Sequence, residues 1–192
     1  MRNLLIALGV IVFICLIGGC SYNSIVGKEE AVKTKWGAVQ SQYQRRMDLI
    51  PNLVATVKGA ANFEKSTVIA VTEARAKATS IQVDASKLSP ETIQKYQAAQ
   101  GQLSTALGRL LVASENYPDL KTNANFSALQ AQLEGTENRI SVARMDFNQS
   151  VQDYNTAIRS FPTVMLARMF GFAEKGNFES EPGAENAPKV AF

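Results

Sequence analysis

Residues 25–60 read IVGKEEAVKTKWGAVQSQYQRRMDLIPNLVATVKGA, and their spacing decides the fold. Ile25, Val32, Val39, Leu53 and Ala60 lie on one row that repeats every seventh residue. Trp36, Tyr43, Ile50 and Val57 form a second row with the same repeat. Two apolar rows in this relation are the seam of a long helix laid along a partner helix. Arg46 breaks the first row, because the seam calls for a hydrophobe at its position. Pro51 removes one backbone hydrogen bond, so a kink is expected near residues 47–50. The periodicity resumes on the same face beyond it, which argues for a kink and against a stop.

Downstream, a break is expected around Gly59–Asn62, with Asn62 as N-cap and Glu64 in the new first turn. The next segment, to about Ser80, places Val68, Val71, Ala74 and Ala78 on one face. Residues 81–90 read as a loop ending in Ser89-Pro90, an N-cap followed by a first helical residue. A third helix then carries Ile93, Tyr96, Leu103, Leu107 and Leu110, and ends at Asn116-Tyr117-Pro118. A fourth runs from about Thr122 to Ser160, roughly 60 Å long. Its core face includes Phe126, Leu133, Ile140, Phe147, Tyr154, Ile158 and Phe161.

Four helices with short connections predict an all-α, antiparallel four-helix bundle. In that register the first and fourth helices run past each other, and Arg46 meets the neighbourhood of Glu137. A half-buried arginine needs a carboxylate, so Arg45 or Arg46 is expected to pair with Glu137 or Glu134. The competing topology has no break near residue 60 and gives three long helices.

Ahead of the bundle, Met1-Arg2-Asn3 opens a short positive start, and Leu4 to Ile17 is apolar throughout apart from Gly9. A run of about 14 residues suits a signal-peptide core and is short for a spanning helix. Leu16-Ile17-Gly18-Gly19-Cys20 resembles a bacterial lipobox, so residues 1–20 are read as a signal or anchor segment with Cys20 as the lipidated residue. The alternative is an uncleaved single-pass helix. Either way the chain is expected at a membrane, and Arg2 places the body outside the cytoplasm. At the other end, residues 163–172 are apolar with one charge, and read as an interfacial or partner-docking helix or as a final turn covering the bundle. The chain from 173 to 192 is polar with Gly176, Pro182, Gly183 and Pro188, and is expected to be disordered. The bundle is thus assigned to residues 21–172.

Composition excludes several chemistries. The chain of 192 residues has a formal charge of +3 and no histidine. Its longest basic group is Arg45-Arg46, which leaves no electrostatic footprint for nucleic acid. Both cysteines, Cys15 and Cys20, lie in the N-terminal segment, so the body has neither a thiol nucleophile nor a Cys/His zinc site. A di-iron bundle would need inward Glu-x-x-His pairs, and Glu134 and Glu137 read better as partners of arginines. No glycine loop suits a phosphate, and no cofactor or metal is expected. Asn52, Asn138, Asn148 and Asn155 are read as bundle contacts or caps, with a ligand groove as the alternative.

The block Tyr22-Asn23-Ser24-Ile25-Val26 resembles the start of a LemA-family core. So does Arg45-Arg46-Met47-Asp48-Leu49-Ile50-Pro51-Asn52-Leu53-Val54-Ala55-Thr56-Val57-Lys58. Glu115 to Lys121, Leu133-Glu134-Gly135-Thr136-Glu137-Asn138-Arg139-Ile140, Tyr154-Asn155 and Phe161-Pro162 are similar to the family's other blocks, and the resemblance covers about residues 22–178. It implies a bacterial, membrane-anchored helical bundle with no assigned catalytic residues. Arg45, Arg46, Asp48, Asn52, Glu134, Glu137 and Arg139 stand out as its polar motif. The resulting expectation is a non-enzymatic envelope scaffold with a protein partner or as a homo-oligomer. The alternative is a ligand- or peptide-sensing module using the face around Arg45, Asp48 and Asn52.

Overall fold

The structure, a computed structural model, describes residues 2–60 and 63–179; for residues 2 and 4–17 it describes the backbone alone. The expected cap Asn62 and the tail beyond residue 179 lie outside the described residues. So do the side chains of the apolar run.

The described residues form helices α1 (Arg2–Lys58), α2 (Lys65–Ser80), α3 (Pro90–Ser114), α4 (Pro118–Lys121), α5 (Ala124–Arg159) and α6 (Thr163–Phe170). No strand occurs among them. Helix α1 passes through Pro51 without ending. It stops where the break was expected, at Gly59. Helix α2 begins at Lys65, one residue later than a first turn containing Glu64 requires, and Glu64 makes no capping bond with its side chain. Ser89 caps α3 as expected: its hydroxyl accepts from the Thr92 amide at 3.3 Å, and Pro90 occupies the first turn. Helix α5 starts two residues later than expected. Asn123 caps it, accepting from the amides of Asn125 at 2.9 Å and Phe126 at 3.2 Å. The short α4 fills the turn between α3 and α5, with Pro118 at its first position.

Helices α1 and α5 are antiparallel. Lys35 Nζ meets Asp146 Oδ2 at 2.7 Å, and eleven residues further along α1, Arg46 meets Glu137, nine residues back along α5. Helix α2 returns along α1, with Arg75 Nε donating to the Met47 carbonyl at 3.1 Å. The connection 81–89 continues that path, and Trp36 Nε1 donates to the Val83 carbonyl at 3.3 Å. Helix α3 then runs with α1: Trp36 faces Tyr96, and Arg46 faces Gln100 and Ser104. The order is up, down, up, down. The break before α2 rules out the three-helix alternative.

Both heptad rows of α1 are buried from Ile25 to Val57, with Arg46 buried among them. Their burial makes two cores. One surrounds Trp36, Tyr96, Phe147 and Tyr154. The other surrounds Leu53, Val71, Leu103, Leu110 and Phe126. At about 25 cal/mol per Å² of apolar surface removed from water, such a seam is the main source of stability. Phe161 departs from expectation and is 82% exposed. Helix α5 ends at Arg159 and Ser160 is already extended, so the row loses its helical phase before it reaches Phe161.

The segment after α6 corrects a second expectation. Disorder was expected from Ala173 onward, yet residues 173–179 lie as an extended strap along α3 and α5. Phe178 is buried to 3% exposure in the first core.

Candidate functional site

Two polar constellations interrupt the apolar packing. The first surrounds Arg46. Placed on the seam by its heptad position, its guanidinium has nowhere to go but inward, and it is 1% exposed. Nη1 donates to Ser104 Oγ at 2.7 Å and to Glu137 Oε2 at 2.9 Å. Nη2 donates to Gln100 Oε1 at 2.6 Å and to the Gln100 carbonyl at 3.2 Å. The guanidinium carbon lies 5.0 Å from the Tyr43 ring centroid. The planar fork reaches α3 and α5 at once through two separate nitrogens. Nε is buried without a partner, as is Nε2 of Gln100. Glu137 keeps over half of its side chain in water, so the pair is desolvated on the arginine side only.

The rest of the expected polar motif does not converge on this point. Arg45, Asp48, Asn52, Glu134 and Arg139 are all exposed. Asp48 accepts from Gln44 at 2.7 Å, and Glu134 accepts from Gln130 at 3.2 Å, each within its own helix. Of the expected carboxylates, Glu137 alone receives the arginine. Burial raises the Tyr96 phenol well above its ordinary range, and the nearby Tyr43 adds to this. The site is therefore a structural clasp, with a charge held by three helices.

The second constellation gathers two of the asparagines read from the sequence as bundle contacts, caps or a ligand groove. Asn148 and Asn155 stand on the same face of α5, seven residues apart. Asn155 Nδ2 donates to the Lys175 carbonyl at 2.8 Å, and its Oδ1 accepts from the Lys175 amide at 2.9 Å. Asn148 does the same for Phe178, with both bonds at 2.8 Å. From α3, Gln97 holds Glu179 through bonds of 2.8 and 3.1 Å. The Gly176 amide donates to the Leu88 carbonyl at 2.9 Å. Thus Asn155 and Asn148 of α5 hold residues 175 and 178, the α3 side holds 176 and 179, and Arg144 of α5 adds a bond of 3.0 Å to the Glu179 carbonyl. Pairing every third residue matches the period of a polyproline II helix, whose backbone must find partners outside itself. Three such residues span about 9.3 Å, and seven helical residues about 10.5 Å; this near-match lets two asparagines one heptad apart serve one strap.

The strap's side chains are equally specified. The Phe178 ring stacks on Trp36, with centroids 6.1 Å apart, and meets Phe147 edge-on at 5.6 Å. Arg144 covers it at 4.8 Å. Lys175 Nζ reaches Glu29 at 2.8 Å, with both side chains mostly buried, and lies 5.6 Å from the Tyr154 ring. The Tyr154 hydroxyl donates to the Ala173 carbonyl at 3.1 Å. Burial, with Glu29 nearby, pushes its pKa up to about 12. The sequence did hold a signal for this strap: Phe178 is a lone large hydrophobe in a polar stretch, opposite two asparagines in heptad relation.

At the end of the bundle where α1 enters it, Tyr22 meets Phe170 and Phe172, with ring centroids 5.0 and 5.7 Å apart. Phe161, Met165, Met169 and Phe170 are exposed there. Cys20 is exposed two residues before Tyr22. Among the described residues no helix is long and apolar enough to cross a membrane, and of the run Leu4–Ile17 the backbone alone is described. No group of three or more acidic or cysteine side chains among the described residues is placed to hold a metal.

These features define a helical bundle with long antiparallel helices, a buried arginine clasp and a docked C-terminal strap. The chain belongs to the LemA family, whose sequence model matches residues 35–192. It is 28% identical to the magnetosome protein MamQ of Magnetospirillum gryphiswaldense, over 85% of this chain and 66% of that protein. It is 24% identical to the protein LemA of Metamycoplasma hominis, over 76% of this chain. The chain spans 66% and 63% of the lengths of these two relatives, respectively.

Proposed function

We propose that the protein is a membrane-anchored scaffold of the cell envelope that works by binding and not by catalysis. The observation that carries this reading is the apolar end of the bundle. Phe161, Met165 and Met169 follow one another at four-residue intervals, and Phe170 and Tyr22 adjoin them. Large exposed apolar residues gathered at one place mark a surface that meets a membrane or a partner. This one lies beside the entry of α1, the helix that begins within the apolar N-terminal segment. The anchor is the acylated Cys20, which becomes the first residue once the segment ahead of it is removed, and the aromatic and methionine side chains of α6 rest at the lipid interface beside it. The body stands on the extracytoplasmic side, in keeping with Arg2 at the start. Kinship with a magnetosome protein supports a role at a membrane.

Two measurements test the reading. The intact mass of the purified protein is expected to begin at Cys20 and to carry a diacylglycerol and an acyl group; an unmodified mass beginning at Met1 would overturn the lipid anchor. Flotation with anionic vesicles of a chain beginning at Ser21 is expected to fall several-fold when Met165 and Met169 are replaced by serine. Unchanged flotation would exclude the interfacial role of α6.

A further inference from the structure

We propose that the groove between α3 and α5 is a binding site for an extended peptide carrying Lys-Gly-x-Phe, filled in this chain by its own residues 175–178. The inference goes beyond the scaffold reading and does not depend on it.

The groove recognises main chain first. Asn148, Asn155 and Gln97 each offer one acceptor and one donor to both backbone groups of a single residue. A carboxamide used this way replaces the neighbouring strand in strand-addition recognition, and it is indifferent to the side chain it serves. Selectivity comes from three positions. Glu29 takes a basic side chain at the first. The second admits glycine alone, since a Cβ on Gly176 would stand 2.6 Å from Pro90 Cα and 2.9 Å from Pro90 N, atoms of a helix start that cannot yield. The fourth is a slot for an aromatic ring against Trp36 and Phe147. Asn177, between them, is exposed and unread.

The same strap shows why the site is a ligand site and not simply core. The helices already meet through the buried rows of α1 and the Lys35–Asp146 and Arg46–Glu137 pairs, and the strap enters this packing at one point, its Phe178 ring against Trp36 and Phe147. Every main-chain bond to residues 175–179 comes from a side chain or a loop carbonyl, so its removal breaks no helical ladder. Tethering gives the resident segment an effective concentration on the order of millimolar. A segment of the same chemistry on another molecule therefore enters when the resident one is weakened or pulled away.

The test uses the full chain in detergent and a fluorescent peptide AEKGNFE, the sequence of residues 173–179. In the Gly176→Val chain the resident strap is displaced, and the peptide is expected to bind at least tenfold more tightly than to the unaltered chain. Adding Asn148→Ala is expected to weaken that binding about tenfold or more, for two lost hydrogen bonds. A peptide with valine in place of its glycine is expected not to bind. Phe178→Ala, which removes the ring and leaves the backbone free, serves as the second displaced chain. If either variant keeps its helical circular dichroism yet fails to bind the peptide, the proposal is overturned. It is overturned equally if neither variant folds, because the strap would then be core.

Discussion

Truncation of Arg46 gives the sharpest test of how the bundle is held. Arg46→Ala empties a buried space at the meeting of α1, α3 and α5. Large-to-small changes in a core cost about 2–5 kcal/mol. The change also orphans Gln100 Oε1, which accepts from the guanidinium at 2.6 Å, at about 1–3 kcal/mol for an unsatisfied buried group. Glu137 adds little, since with 55% of its side chain exposed it recovers water when the partner leaves. A loss of about 3–8 kcal/mol is therefore expected. Glu137→Gln keeps an acceptor oxygen at 2.9 Å and half-exposed geometry, so it should cost no more than about 1 kcal/mol. Arg46→Met with Gln100→Leu fills the space and removes the charge together with its main acceptor, and should be close to neutral or stabilising. Urea unfolding of the detergent-solubilised chain, followed by circular dichroism, reads all three from the midpoint at constant slope. Two results would refute the reasoning: Arg46→Ala within about 0.5 kcal/mol of the unaltered chain, or Glu137→Gln as costly as Arg46→Ala. The second would mean that the ion pair, and not the packed guanidinium, carries the energy.

Three further outcomes are expected. Asn155→Ala should speed amide hydrogen exchange at Lys175 about tenfold or more while leaving α5 protected, and equal speeding in α5 would mean that the strap is not a separate unit. Tyr154 holds its proton more firmly in the fold, with its pKa pushed up to about 12, against about 10 in the unfolded chain. Its contribution to stability is thus intact below about pH 10 and is lost as pH rises from there through about 12; ultraviolet titration of Tyr154→Phe should lack one tyrosine from the late phase. Asn123→Ala should cost about 1 kcal/mol by removing the cap of α5, measured by thermal unfolding.

Much of the fold was legible in particular residues. The two heptad rows located the buried side of α1, and the break at Gly59 and the Ser89-Pro90 start separated the helices. The out-of-place Arg46 required a carboxylate, and the antiparallel register brought it to Glu137. Legibility failed where the helical period ended. Phe161 lies just past the last helical residue of α5, where phase no longer determines direction. Residues 173–179 have no helical period and a polar composition, and composition cannot see bonds supplied by a distant helix. Arg45, Asp48 and Asn52 share the exposed side of α1, and the buried clasp draws in Arg46 alone of these neighbours.

By itself, the sequence determined the helices, their buried faces and the position of one forced charge, because a helix's period and caps are local properties of the chain. Only the tertiary structure decided where that charge was neutralised and which segment covered the flank. Asn148 and Asn155 are unremarkable polar residues until a strap three residues to the turn passes beside them. Its hydrogen bonds link positions 20 and 30 residues apart, and no local rule encodes such a meeting.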